Sequence, residues 1–428
     1  MSAAVVDAAP DHGSRPLREL DGLRGLAALG VFLYHAATPA VPVSRHLWRL
    51  FGVLNAGVAV FFVLSGFLIY RPFAAANIER RAAPGLVSYS IRRVLRIYPA
   101  YLVCLVITWR LKLININGPV AFLKHAALVD IYFPPNARGG VGLPVSWSLQ
   151  VEVAFYVFAP LWGLALRQLG NGIARVSRRR LDQFVVEAVC VIALGAAGVW
   201  AMPRNVAPTA HNVDAVLLPW MGELGCGMLL AIIVVAAPHH RGAASIRSTL
   251  ARIPTFVWWL GAAVALYELG HRTVYGLACT YCVTTQQAVL SLRLQLPLAA
   301  LLVTPLVLGP PGRGAIRRLL SSTPMGWLGL VSFSLYLWHT ALIHQFPIGW
   351  KRKRGVWISL STVAAELALS LAVATLSYLV VERPCMRLAR RLTAGRRRRS
   401  PPARDRSVTS RARIGAHWRG PGNTPHHP

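Results

Sequence analysis

Arg24 and His35 stand eleven residues apart in the first apolar block, which reads Leu20-Asp21-Gly22-Leu23-Arg24-Gly25-Leu26 and runs on to Leu33-Tyr34-His35. On an α-helix that spacing puts them within about 20° of the same face and about 16 Å apart along the axis. An ionisable side chain is costly in hydrocarbon, so two on one face of a spanning helix point to a pathway or a site. His35 suits a general base, because the reference pKa of imidazole lies near neutrality. The pair also fits a helix-end anchor plus a histidine that hydrogen-bonds inside a bundle, and spacing by itself does not separate the two.

Other residues could share that chemistry. Glu152 lies four residues after Ser148, on the same helix face. A carboxylate close to His35 would orient the ring and stabilise the imidazolium, whereas elsewhere Glu152 would be a hydrogen-bond partner between helices. Arg92, Arg93 and Arg96 precede an apolar block, and pairs of them are neighbours on one helix turn. Guanidinium groups grip phosphates well, and they also anchor helix ends by charge alone. Glu223 is an acid inside an apolar stretch, a site candidate or a buried polar contact. Ser65-Gly66 allows close helix–helix approach, with a passage for a donor molecule as the sharper alternative.

The elements that must position these residues are membrane helices. Of 428 residues, 55% are hydrophobic and 14% charged. Mean hydropathy is +0.48. The apolar residues come in long blocks without period-two alternation. Only helices and closed barrels satisfy the backbone in lipid, so the blocks predict helices of about 20 residues. Ten spans are expected, near 22–39, 55–71, 95–114, 147–167, 184–202, 214–236, 254–270, 290–309, 325–346 and 356–381. The fold class is therefore an all-α polytopic membrane bundle. The expected divisions are a cytoplasmic segment 1–20, a membrane-embedded domain 21–385 and a basic, disordered tail 386–428.

The net charge of +31 has two physical meanings, nucleic-acid binding or cytoplasmic loops. The basic residues fall between apolar blocks and in the final tail, which selects the membrane reading and excludes a nucleic-acid partner. They concentrate in alternate connections, 71–96, 167–181, 238–252 and 310–324, which places both termini in the cytoplasm of a multi-pass cell-membrane protein. Lys351 to Arg354 run against that pattern, and 271–289 is ambiguous between a connection and a further span. The first block has no cleavage site of the secretory kind and reads as a retained span. Cys279-x-x-Cys282 lacks a second pair or histidine set and reads as buried small residues. His239–His240 and His426–His427 lack partners at ligand spacing, so no metal is expected. No phosphate loop for ATP hydrolysis occurs.

Six motifs in order resemble the acyltransferase type 3 family of membrane O-acyltransferases. They are Arg24-x10-His35, Phe61-Phe62-Val63-Leu64-Ser65-Gly66-Phe67-Leu68-Ile69, Arg92-Arg93-Val94-Leu95-Arg96-Ile97-Tyr98-Pro99, Trp147-Ser148-Leu149-Gln150-Val151-Glu152, Ser334-Leu335-Tyr336-Leu337-Trp338-His339 and Val381-Glu382-Arg383-Pro384. The resemblance covers residues 17–385. It implies transfer of an acyl group, most commonly acetyl, from a cytoplasmic acyl-CoA co-substrate to a hydroxyl of a glycan, glycolipid or similar acceptor. It adds His339 to the supporting candidates by motif position. With it, His35 and Glu152 become the expected catalytic pair, and Arg24, Arg92, Arg93 and Arg96 the expected donor-binding set. Neither a nucleophile elbow nor a cysteine-centred constellation is present, so direct transfer without a covalent enzyme intermediate is expected and no bound cofactor is required. The high Arg, Ala and Gly usage fits a bacterial source of high GC content, and the expected location is then the bacterial inner membrane.

Two other functions use the same residues. Intramembrane Arg, His and Glu would suit a proton-coupled secondary transporter, although the two halves show no internal similarity. A lipid-anchoring scaffold would use the basic tail on anionic headgroups.

Overall fold

A computed structural model describes residues 17–37, 49–133, 142–176, 182–205, 217–273, 285–312, 314–343 and 355–399. Every regular element among them is helical, with no strand. The helices are α1 (Leu17–Ala37), α2 (Gly57–Ile78), α3 (Leu86–Arg110), α4 (Pro119–Ala126), α5 (Ser146–Val176), α6 (Gln183–Asn205) and α7 (Met221–Ala236). They continue with α8 (Arg241–Arg252), α9 (Thr255–Thr273), α10 (Thr285–Leu308), α11 (Ala315–Leu320), α12 (Thr323–Ile343), α13 (Gly355–Ser377) and α14 (Arg383–Arg399). A π-helical turn, Tyr378–Glu382, joins the last two.

The membrane-bundle class is borne out, but the count of ten is not. Among the described residues, seven helices are long and apolar enough to cross a membrane, and the bent pair α8–α9, with 78° between its halves, makes eight. The expected spans 22–39 and 95–114 do coincide with α1 and α3. Both fall short of that apolarity because charged residues sit within the helix; Asp21 and Arg24 of α1 and Arg93 and Arg96 of α3 line an internal cavity, while Glu19 pairs with Arg317 and Arg92 and Arg110 are exposed. The connections are also shorter than the apolar blocks suggest. The stretch 71–96 is helical except for 79–85, because α2 runs on to Ile78 and α3 begins at Leu86. Past Arg71 and Pro72 the chain reads Phe73-Ala74-Ala75-Ala76-Asn77, all buried, and this packing carries α2 beyond its apolar block. The segment from 386, expected to lack structure, begins as helix and stays so to Arg399. Residues 274–284, 351–354 and 400–428 lie outside the described residues, and with them Cys279, Cys282, the four-residue basic cluster, His426 and His427.

Glycines set the closest helix approaches. A Cβ on Gly66 of α2 would strike the Leu224 carbonyl oxygen of α7, and one on Gly227 of α7 would strike the Val63 carbonyl oxygen of α2. Small residues let backbones touch where apolar burial gives no driving force in lipid. The second such contact joins α1 to α12. A Cβ on Gly25 would lie 2.8 Å from the Gly329 nitrogen, and one on Gly329 would strike the Asp21 carbonyl oxygen. Ten residues further along each helix, His35 meets His339. Contacts at 25/329 and at 35/339 make α1 and α12 parallel and in register.

Two buried polar clusters lock the ends. Glu19 of α1 pairs with Arg317 of α11, and both side chains are almost wholly buried. Arg317 also donates to the Pro305 carbonyl and to Thr255 Oγ1, while the Gly312 N–H donates to Glu19, so the pair's hydrogen-bonding groups are met from α9, α10 and the connection before α11. A buried pair with this many partners resists separation, because removing one leaves a charge in low dielectric. Elsewhere Ser334 of α12 donates to Glu382 and lies 3.0 Å from Ser377 Oγ, tying the π turn to α12.

Gly329→Val is expected to push α1 away from α12, destabilising the fold by about 1–3 kcal/mol, as overpacking does. Thermal unfolding in detergent reads the loss. An unchanged midpoint would show that this contact does not hold the helices together.

Candidate active site

A cavity of about 410 Å³ opens among α1, α2, α3, α5 and α12. Its charged lining is four arginines, Arg24, Arg93, Arg96 and Arg390, and two acids, Asp21 and Glu152. Ser65, Ser148 and Tyr336 add hydroxyls, and Phe61, Phe62, Leu64, Leu68 and Ile69 form the apolar wall. An apolar pocket with a few convergent polar groups is the usual form of a small-molecule site.

Helix periodicity explains which arginines of α3 enter. Tyr89, Arg93, Arg96 and Ala100 follow spacings of four, three and four and form one inward stripe, with Tyr89 and Ala100 buried. Arg93 and Arg96 line the cavity, whereas Arg92 sits on the exposed flank of the helix. The expected donor-binding set is therefore divided. The Arg93 guanidinium lies over the rings of Tyr156, 5.3 Å from its centroid, and Tyr89, 5.6 Å away. These rings cradle the cation at the cavity wall, where a guanidinium can meet a planar anion.

Glu152 does not partner His35. Its carboxylate accepts from Ser65 Oγ at 3.2 Å and from Tyr156 OH at 2.8 Å. Ser65 and Gly66 divide their labour, Ser65 facing the cavity and Gly66 facing α7. Ser148 Oγ sits 2.7 Å from Tyr336 OH, joining α5 to α12. Trp147 lies against Trp220 and Phe62, with ring centroids 5.3 and 6.3 Å away.

The ring partner of His35 is His339. His339 Nε2 lies 3.1 Å from His35 Nδ1. His35 Nδ1 is also 2.9 Å from the Val31 carbonyl oxygen, and His339 Nδ1 is 3.0 Å from that of Leu335. A carbonyl oxygen only accepts, so each Nδ1 carries the hydrogen in the neutral ring. His339 Nε2 is then an acceptor and shares the Nδ1–H of His35. That tautomer leaves the lone pair of His35 on Nε2, the geometry of a base held by a second ring. His35 does not itself line the described cavity. It connects to it through His339, whose ring lies 5.9 Å from that of the cavity residue Tyr336. The segments that follow the two histidines, 38–48 and 344–354, lie outside the described residues.

Glu223 is kept apart from this site. It is buried in α7, and neither carboxylate oxygen has a hydrogen-bond partner among the described residues. His240 caps α8 by accepting from the Ala243 N–H, and it pairs with Asp182 at 2.8 Å.

Comparison with known proteins bears on this geometry directly. The type 3 acyltransferase family model, described as an acyltransferase domain, matches residues 17–382. The chain belongs to the acyltransferase type 3 family. Acyltransferase MdmB of Streptomyces mycarofaciens is similar, 28% identical over 406 residues that cover 89% of this chain and 93% of that one. Nodulation protein 10 of Rhizobium leguminosarum bv. viciae is 24% identical over 419 residues, covering 90% and 98%. A Staphylococcus aureus protein named as an O-acetyltransferase is 28% identical over 188 residues, 41% of this chain. The chain spans only 28% of the length of that relative. No solved structure matches it.

Within this family member, sequence alone missed four residues that the site uses. Tyr156 lies one helix turn after Glu152, and Tyr336 three residues before His339, so helical spacing was the available signal. Asp21 stood in view without a role. Arg390 had been assigned to the tail.

Glu152→Gln keeps an oxygen for the Ser65 and Tyr156 hydroxyls and removes one negative charge from the cavity. The purified acyltransferase should then bind inorganic pyrophosphate about two- to fivefold more tightly at low ionic strength, with the gain shrinking in salt. Titration calorimetry at two salt concentrations reads it. Equal or weaker binding would show that Glu152 does not share the arginine field.

Proposed function

We propose that the chain is a membrane O-acyltransferase that moves an acyl group, acetyl by preference, from acyl-CoA to a hydroxyl of a glycan, glycolipid or similar acceptor. The observation that carries this reading is the arrangement along α1. Arg24 stands at an arginine-lined cavity, and His35, about 16 Å further along the helix, is held by a second imidazole. The names of the relatives, O-acetyltransferase and acyltransferase, agree with it.

The donor's phosphates would lie among Arg24, Arg93 and Arg96, where guanidinium groups meet them with charge and paired N–H donors. The arginine end would face the cytoplasm, as the basic connections favour, in a bacterial inner membrane with both termini inside. His35 Nε2 takes the proton of the acceptor hydroxyl as that oxygen forms a bond to the thioester carbonyl carbon. The tetrahedral intermediate collapses, the C–S bond breaks, and the thiolate leaves and takes the proton from the imidazolium. The products are an ester and a free thiol, and no bond to the enzyme forms. His339 positions His35 by accepting from its Nδ1–H, an interaction that strengthens when His35 becomes charged. Glu152 works on the arginine side instead, holding Ser65 and Tyr156 and balancing charge.

In membranes containing the full chain, His35→Ala should lower transfer from radiolabelled acetyl-CoA to envelope glycan or lipid by about 10²- to 10⁴-fold, the usual contribution of a general base. Binding of CoA should persist. His339→Leu should lower kcat with little change in KM for the donor, and His339→Asn, which retains an acceptor oxygen, should recover part of it. Full activity in a folded His35→Ala protein would remove the base assignment.

A further inference from the structure

Arg390 lies eight residues beyond Glu382, the last residue matched by the family, yet its side chain lines the same cavity as Arg24, Arg93 and Arg96. The helix that carries it, α14, is not a free tail. It lies along α3, the helix of Arg93 and Arg96, and presents Ala389 and Thr393 as its buried face. Its start is pinned, because Glu382 is held by Ser334 of α12, two residues from the cavity residue Tyr336. From Glu382 to Arg390 is little over two turns, about 12 Å, so the anchored carboxylate fixes the register that brings Arg390 to the cavity. Single-turn π segments of the kind found at Tyr378–Glu382 recur where a helix is re-aimed at a functional site. Arg390 remains exposed, which puts it at the mouth.

Four arginines against two carboxylates leave the cavity lining with an excess of two positive charges (four minus two). Like charges gathered in one cavity favour a ligand with more than one negative charge, such as a diphosphate, over a single carboxylate. We propose that α14 is part of the donor site and that Arg390 binds a phosphate of the donor at the mouth, opposite the arginines of α1 and α3. This inference rests on the acyl-CoA reading above and extends it to a residue outside the family's matched span. The shared chemistry is a phosphate-bearing ligand, either the nucleotide part of CoA or the headgroup of an anionic lipid.

The test uses the full chain purified into phosphatidylcholine nanodiscs, with CoA and phosphate-free pantetheine as probes. Arg390→Ala is compared with Arg93→Ala and with Arg387→Ala, which alters an exposed arginine of α14 outside the cavity lining. Arg390→Ala should weaken CoA binding about three- to tenfold, the scale of one partly exposed ion pair, and leave pantetheine unaffected. Arg387→Ala should bind CoA as wild type does. If Arg93→Ala weakens CoA and Arg390→Ala does not, α14 is outside the donor site while the donor reading stands. If wild-type protein binds CoA no better than pantetheine, the phosphate reading fails and this inference falls with it. If Arg390→Ala loses only its preference for phosphatidylglycerol over phosphatidylcholine vesicles, Arg390 is a lipid contact and the proposal is overturned.

Discussion

The site depends on the contact between two parallel helices, α1 and α12. Where Gly25 meets Gly329 the backbones touch, with the Leu328 side chain packed beside them, so one helix cannot slide along the other. Such a contact fixes register as well as distance, because any shift brings a Cβ against backbone. The consequence appears ten residues later, where His35 and His339 share a hydrogen bond. An imidazole pair is sensitive to errors of a fraction of an ångström, and in lipid a lone ring would otherwise turn to whatever polar group lay nearest. The two rings are further pinned to the carbonyls of Val31 and Leu335, one turn back on their own helices. Register comes from small residues at one end, and tautomer from backbone carbonyls at the other.

The same helices solve a second problem, that of keeping charge inside a membrane bundle. Glu19 and Arg317 are buried and neutralise each other within a shell of further hydrogen bonds. Arg24, Arg93 and Arg96 are treated differently. They converge on a cavity with Asp21 and Glu152 as partial counter-charges and tyrosine rings around Arg93. A structural pair is fully compensated, whereas a binding site holds charge in reserve for its ligand. This contrast separates the two clusters although both contain buried arginine and acid.

Much of this was legible in the sequence. Block lengths gave the helices, and spacing put Arg24 and His35 on one face of α1. The motif order pointed to the family now matched over residues 17–382. What spacing could not supply was pairing between helices distant in the chain. Glu152 looked like a partner for His35 because carboxylate and imidazole so often pair, but helix α5 delivers it to Ser65 and Tyr156. The partner is instead another imidazole, 304 residues away in sequence. Hydropathy located α1 and α3 even though Asp21, Arg24, Arg93 and Arg96, which line the cavity, lower the apolar average of those helices. It failed at α14. A run rich in arginine reads as solvated tail, yet small Ala389 and Thr393 give that helix a face to lay on α3.

The distance along α1 constrains the donor beyond its charge. On the proposed reading, with donor phosphates among the arginines and His35 as base, the reacting carbonyl would lie on the order of 16 Å from the anionic groups. An acyl phosphate, whose carbonyl adjoins its phosphate, cannot span that length. A donor with its acyl group on a long neutral arm can, provided the arm passes an apolar wall. Phe61, Phe62, Leu64 and Leu68 line the arginine cavity with such a wall, and Tyr336, whose ring contacts Phe61 and His339, links that cavity to the histidines. The separation of binding charge from chemistry therefore favours a thioester carried on an extended arm.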